Sequence, residues 1–403
     1  MTRVILPNDA GITAWLDEAL NLEKTMEYRE FRLDRVHAVL PWLPRPPAPI
    51  TITGTKGKGS TTRLMECGLL ACGQRTLAFT SPHLTSVRER WRLDGVPAEA
   101  EAVAARCSEV AAIEATSGIG LTYFERCFAI AVLFAAARPD ATFLLEVGLG
   151  GRLDCANALD AALVVMTHLS RDHCQMLGDT LDLIAGEKLA LCRPGRPVVI
   201  APQSPAGQQA IRGRLPVASP AQWVARASPP FRLALAGDHQ QDNASTALAV
   251  LRSARPDLDE TRIRDGFADA RLAGRCQLVE VAGRRLLIDG AHNGVSIAAT
   301  LATAATTLRP GWLLVLGVAK DKDIAEILAT IPAATAVTRT AYTSPRARQA
   351  ADWPADAQRW PFAADIAAAL ALAPVEVDVC VTGSLYLAAE TLAHLGLAGR
   401  IPG

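Results

Sequence analysis

Gly54-Thr55-Lys56-Gly57-Lys58-Gly59-Ser60-Thr61 is the stretch of this 403-residue chain whose residue types point most directly at chemistry. It follows the apolar run Ile50-Thr51-Ile52-Thr53 and precedes a helical pattern. Glycines there let backbone N–H groups converge on phosphate oxygens, and a helix N-terminus adds partial positive charge. Lys58 can bridge β- and γ-phosphates and the Ser60 hydroxyl can ligate Mg²⁺. The lysine comes before the last glycine, so the spacing departs from the usual Gly-x-x-x-x-Gly-Lys-Ser/Thr. Three further groups stand at the ends of apolar runs. Glu146 closes Thr142-Phe143-Leu144-Leu145 and meets Gly148-Leu149-Gly150-Gly151-Arg152; it is read either as a metal ligand or as a partner of Arg152. Asp172-His173 follows Ala162–Met166, and its histidine is either a ligand or structural. Lys188 sits in a helical pattern, where a solvated surface amine is the plain alternative.

Composition sharpens the interest in the lysines. Only six of the 41 basic residues are Lys, namely 24, 56, 58, 188, 320 and 322, so a site tolerant of arginine would be expected to hold it. The 41 basic and 41 acidic residues balance, which removes any global field that would gather nucleic acid or an anionic membrane. A hydrophobic share of 50% excludes intrinsic disorder, and no apolar run approaches the roughly 18 residues of a spanning helix. The N-terminal residues turn polar too soon for a secretory signal, and the nine cysteines make no Cys-x-x-Cys pair. Together these features predict a cytoplasmic protein with reduced thiols.

The elements that must position these groups read as α/β. Short apolar runs at 50–53, 77–80, 142–147, 162–166 and 197–200 alternate with helical patterns, as expected of parallel strands covered on both faces. A helical arm is predicted over 13–40 and a loop-rich excursion over 202–232. A second α/β pattern has strand candidates at 285–289, 312–316 and 377–381, with an Ala-rich helix over 294–308. The boundary is predicted within 272–284, giving a larger parallel-sheet domain over 1–275 that carries the glycine-rich loop and a smaller Rossmann-like α/β domain over 276–403.

Taken together, these stretches resemble the folylpolyglutamate synthase / dihydrofolate synthase family of the Mur ligase superfamily. The resemblance rests on Ile52–Thr61, Thr80-Ser81-Pro82-His83-Leu84, Arg88-Glu89-Arg90 and Leu145–Asp154. It continues through Asp172-His173, Leu177-Gly178-Asp179-Thr180, Glu187-Lys188 and His239-Gln240 with Asn243-Ala244. Gly274-Arg275, Asp289-Gly290-Ala291-His292-Asn293, Asp321-Lys322-Asp323 and Gly383-Ser384-Leu385-Tyr386-Leu387 complete it. The order is kept over about residues 13 to 390.

The resemblance implies an ATP-dependent, ADP-forming ligase that joins an amino-acid amine to a carboxylate through an acyl phosphate. It implies that the loop residues 54, 55 and 57–61 hold the nucleotide, with Lys58 catalytic. Ser60, Ser81 and Glu146 would hold a first Mg²⁺, and His173 a second, with Lys188 carrying a carbamate. Asn243, Arg275 and Asp289 would lie on the nucleotide side. Ser81, Phe124, His292 and Ser384 would lie toward the substrates, although Tyr123 and Phe124 read equally well as the start of a core helix. The partners implied are small molecules, with no nucleic acid, no membrane and a monomeric chain. Departures fall near these positions: Leu272-Ala273 replaces Trp-Pro, Gly294 replaces proline, Ser170-Arg171 replaces Gly-Leu, and Lys56 stands where Asn is common. None deletes a phosphate or metal residue. Three functions follow in order: glutamate addition to a folate or dihydropteroate, the same ligase acting on a non-folate acid or with another amino acid, and a silent nucleotide-binding partner protein.

Overall fold

A computed structural model describes residues 5–25 and 32–398, which divide into two compact units. One comprises Met1–Arg232 with Gln241–Ala270, the other Leu233–Gln240 with Arg271–Gly403. The division therefore falls at 270/271, five residues before the expected boundary, and 233–240 pack with the second unit. Among the described residues, no helix is long and apolar enough to cross a membrane.

The first unit is built on an eight-stranded sheet. Its strands are β1 (Ile50–Thr53), β2 (Thr76–Phe79), β3 (Trp91–Leu93), β4 (Val96–Pro97), β5 (Thr142–Glu146), β6 (Leu163–Met166), β7 (Val198–Ile200) and β8 (Ala221–Trp223). They lie in the order β4-β3-β2-β5-β1-β6-β7-β8, parallel from β2 through β8, with β3 and β4 antiparallel at one edge. All four residues of β1 and of β6 are buried, as parallel strands covered on both faces must be. The helix Tyr123–Ala136 buries 11 of its 14 residues, and Phe128, Ile130 and Phe134 join a core with Phe79, Phe143 and Val164. Burial of each such side chain is worth roughly 1.5–3 kcal/mol. A capping box starts this helix, with the Thr122 side chain and Glu125 satisfying each other's backbone N–H groups.

Strand order determines where a ligand can sit. The chain leaves β1 toward β2 on one side, but leaves β5 and β6 toward β6 and β7 on the other. A crevice opens at the carboxyl ends of neighbouring strands where such connections diverge.

The second unit carries β9 (Gln277–Val281), β10 (Arg284–Ile288), β11 (Leu313–Leu316), β12 (Ala336–Thr340), β13 (Phe362–Ala363) and β14 (Val379–Thr382). Their order is β13-β12-β11-β14-β10-β9, parallel apart from the β9–β10 pair. The stretch expected to be a boundary is thus a β-hairpin, turning at Ala282 and Gly283 with φ of +52° and +78°. The predicted excursion over 202–232 likewise contains order. Ser204 caps the helix Pro205–Arg214, Ile211 on that helix is buried, and β8 then adds to the sheet edge. In the predicted arm, Asp9–Asp17, Leu22–Thr25 and Asp34–Val39 are helical, and residues 26–31 lie outside the described residues.

Candidate active site

β1 ends in the phosphate loop, and the helix Lys58–Ala71 begins directly from it. Gly57 caps that helix in the left-handed region at φ +90°, and a Cβ there would lie 2.3 Å from Asn243 Oδ1. Asn243 thus touches the loop, and the Thr61 hydroxyl lies 3.5 Å from its Oδ1. The Lys58 ammonium folds back to donate to the Gly54 carbonyl at 3.2 Å. Ser60 and Thr61 are buried in the first helical turn. The loop is laced to the segment after β6: the Thr55 and Lys56 amides both donate to the His168 carbonyl, and the Thr55 hydroxyl donates to the Ser170 carbonyl at 2.9 Å.

Three strand ends converge on one cavity of ≈ 320 Å³, open mouth included. It is lined by Gly54, Thr55 and Lys58 after β1, by Val147–Gly150 after β5, and by Asp172, His173 and Leu177 after β6, with Lys188 opposite. Lys58, His173 and Lys188, far apart in sequence, therefore line one cavity. His173 sits at φ +50° and caps the short helix Cys174–Leu177.

Lys188 is not a surface lysine. It is 4% exposed on the helix Leu181–Leu189, and its amine makes no hydrogen bond or ion pair among the described residues. Burial first, and then repulsion from Lys58, pull its pKa down to about 7 against the opposing pull of Asp172, Asp154 and Glu187. Gly151 makes this placement achievable, since a Cβ there would lie 2.6 Å from the Glu187 carbonyl and 3.0 Å from Lys188 Cα. Arg152 completes the contact, pairing with Glu187 at 2.8 Å and not with Glu146.

Glu146 is buried at the end of β5 and accepts the Ser81 amide at 3.3 Å. Ser60, Ser81 and Glu146 are not among the residues lining this cavity, whose lining does include His173 and Lys188. Among the described residues, no group of three or more His, Cys, Asp or Glu could hold a metal ion. Phe124 packs on Phe79 at 5.8 Å between ring centroids, and a Cβ on Gly148 would lie 2.6 Å from its ring. Tyr123, by contrast, is core: it is buried with the Arg90 guanidinium over its ring.

Two functional contributions were not readable from sequence. Asp154 accepts the Gly148, Leu149 and Ala156 amides, shaping the glycine-rich wall of the cavity. Burial raises its pKa to about 6, offset by those amides and by Lys58. The signal available was its position just after Gly150-Gly151, where a short acid commonly caps a turn. Lys56 pairs with Asp172 at 2.7 Å, a contact that only the tertiary fold creates.

In the second unit, the Asp289 carboxylate accepts the Cys276 and Ala291 amides at 2.7 and 2.8 Å and the Thr300 hydroxyl at 2.9 Å. It is buried, and these three bonds tie residues 276, 291 and 300 together. Arg275 Nη1 lies 3.1 Å from where a Gly290 Cβ would stand. His292 Nδ1 lies 3.0 Å from the Gly290 carbonyl, and the Ser384 hydroxyl caps the helix Leu385–His394.

Known proteins give this geometry a context. Residues 274–385 match the model of the Mur ligase, glutamate ligase domain. The dihydrofolate synthase/folylpolyglutamate synthase of Escherichia coli is 34% identical over 336 residues, covering 79% of this chain and 78% of that protein. The solved structure of Escherichia coli FolC in complex with DHPP and ADP superposes with a TM-score of 0.82 at 28% identity, over 96% of this chain and 97% of that one. The bifunctional enzyme of Yersinia pestis complexed with AMPPNP and Mn ion gives 0.81 at 28%, over 96% and 98%. By fold, by sequence and by the order of its motifs, this chain belongs to the dihydrofolate synthase/folylpolyglutamate synthase family.

Proposed function

We infer that this protein is an ATP-dependent, ADP-forming ligase that joins L-glutamate to the carboxylate of a folate or dihydropteroate through an acyl phosphate. The observation that carries the reading is the buried Lys188 amine, unpaired among the described residues and facing the same cavity as Lys58 and His173. With its pKa near 7, much of this amine is neutral at physiological pH and able to attack CO₂. The attack forms an N–C bond, opens one C=O π bond of CO₂ and releases one amine proton to solvent, so a carbamate anion stands beside Lys58 where a buried cation would be unfavourable. Arginine cannot make that change.

The donor chemistry fits divalent metal. Glu146 and the Ser60 and Ser81 hydroxyls would hold one Mg²⁺, and His173 with carbamylated Lys188 would hold another. Carboxylate-only clusters are absent among the described residues, so hydroxyls and a carbamate are the groups left to complete each set. Bound Mg²⁺ neutralises charge between a γ-phosphate and an incoming carboxylate, two anions that otherwise repel. Lys58 and the N-terminus of Lys58–Ala71 orient the phosphates from the other side, with Thr55, Gly57, Gly59 and Thr61 supplying the loop's backbone. Asn243 and Arg275 are assigned to the nucleotide, Phe124 to the acceptor's ring system, and His292 and Ser384 to the amino acid. Asp289 serves them by holding residues 276 and 291 in place. We also propose a cytoplasmic monomer acting on small molecules alone. All nine cysteines are unpaired, which suits a reducing compartment, and light scattering at the monomer mass checks the second point.

The test is phosphate release by purified protein with ATP and Mg²⁺. Dihydropteroate, tetrahydrofolate and unrelated carboxylic acids are each paired with several amino acids. Release that requires glutamate together with a pterin-bearing acid supports the assignment. Release with an unrelated acid, and none with either pterin compound, overturns it.

A further inference from the structure

We propose that Lys56 is a positioning residue for His173: through its ion pair with Asp172 it fixes the loop that carries His173 against the phosphate loop. This rests on the reading of His173 as a metal ligand. The seam between the two loops starts in the backbone, where Thr55 and Lys56 both donate to the His168 carbonyl. It continues through the Thr55 hydroxyl, which donates to the Ser170 carbonyl and accepts the Ser170 amide at 3.2 Å. At Asp172 it passes to side chains. Lys56 Nζ meets Asp172 Oδ2 at 2.7 Å, with side-chain exposures of 24% and 12%, so solvent screens the pair only partly.

The other oxygen of the same carboxylate, Oδ1, accepts the His173 amide at 3.0 Å. Asp172 is therefore a two-sided clasp, with the phosphate loop on one oxygen and the backbone of His173 on the other. His173 needs such a clasp, because its φ of +50° is a conformation that costs a non-glycine residue roughly 1–2 kcal/mol. The charge of Lys56 does a second job. Asp172 lines the cavity beside His173, and its carboxylate, if unneutralised, would compete with the imidazole for a divalent cation. Lysine at this position both holds the loop and occupies the competing oxygen.

The experiment uses the full-length protein and the variants Lys56→Met, Lys56→Arg, Asp172→Asn, Lys56→Met/Asp172→Asn and His173→Ala. Three quantities are measured: the Mg²⁺ concentration for half-activation, KM for ATP, and Mn²⁺ binding by electron paramagnetic resonance with a non-hydrolysable ATP analogue. Lys56→Met is expected to raise the half-activating Mg²⁺ about tenfold, a typical cost of losing a group that orients a metal ligand. It should weaken one Mn²⁺ site to a similar degree while KM for ATP stays within about twofold. Lys56→Arg keeps the ion pair and should stay near the parent. Asp172→Asn loses the same ion pair but also the competing carboxylate, so it should weaken the site less than Lys56→Met, and the double variant should match Asp172→Asn. A rise in KM for ATP with unchanged Mn²⁺ binding overturns the proposal in favour of direct phosphate contact by Lys56. Unchanged Mn²⁺ binding in Lys56→Met beside weakened binding in His173→Ala overturns it alone. Unchanged binding in His173→Ala overturns the metal-ligand reading and this proposal with it.

Discussion

The ends of β1, β5 and β6 and the loop after β10 both gather the family's motif residues, yet they treat polar groups in opposite ways. After β10, Asp289 spends both carboxylate oxygens on two amides and a hydroxyl, and Ser384 spends its hydroxyl as a helix cap. Around the cavity, Lys188 is left without a hydrogen-bonding partner among the described residues and is pushed toward losing its proton by burial first and by Lys58 second. A buried polar group that is fully partnered holds structure. One that is buried, unpartnered and next to a like charge stores reactivity, which folding stability alone would not maintain.

Four measurements break or sharpen that contrast. The largest effect should come from Lys58→Ala, which removes the ammonium of the glycine-rich loop from the cavity without disturbing core packing. Turnover should fall on the order of 10²–10³-fold or more, with the urea midpoint unchanged. Near-parental turnover would empty the cavity of its chemistry. Next, Lys188→Ala should lose activity on the order of 10²-fold, partly restored by acetate or formate that refill the ligand space. Lys188→Arg should stay inactive with either additive, because guanidinium keeps its positive charge. Full activity in Lys188→Arg would turn Lys188 back into a packing residue.

On the other side of the contrast, Asp289→Ala strands two amides and a hydroxyl, and should cost about 2–4 kcal/mol of stability in urea unfolding. An unchanged midpoint with a raised KM for ATP would instead make Asp289 a nucleotide contact. The smallest effect concerns rate and pH. Lys188 titrates near 7 when folded and near 10.5 when unfolded, so the neutral amine gains ground in the folded protein as pH rises through 7. Any stability cost of the buried cation is full below pH 7 and disappears between 7 and 10.5. After CO₂ depletion, reactivation at equal dissolved CO₂ should be about tenfold faster at pH 8 than at pH 6. A pH-independent rate would remove the neutral amine from the account.

The same contrast explains what sequence could reveal. Buried parallel strands such as β5, β6 and β14 have apolar centres three or four residues long, so their composition marks them. Edge strands carry no such mark: β8 is Ala221-Gln222-Trp223, and β9 leaves Leu278 and Val281 exposed. β12 hides Arg339 inside the unit, where its guanidinium donates to the Trp360 carbonyl and lies 5.7 Å from the rings of Trp353 and Phe362. No local pattern predicts a buried arginine of that kind. In the site, glycines and lysines announced the phosphate loop because their local order is itself the signal. Asp154 and Lys56 stood out by position, but their contacts could not be read, because each acts on backbone or charge that only the folded chain brings near.

The cavity hangs from β5, β1 and β6, which have three strands on one side and two on the other. In amide hydrogen exchange, such interior strands open only with the whole sheet. The peptide groups beneath Glu146, Gly54 and Met166 should therefore exchange among the slowest in the first unit. Activity should then survive denaturant up to the point where that unit unfolds as a whole, instead of fading beforehand through fraying. A ligase built this way tolerates loosening of its edges, β4 and β8, far better than any shift at its centre.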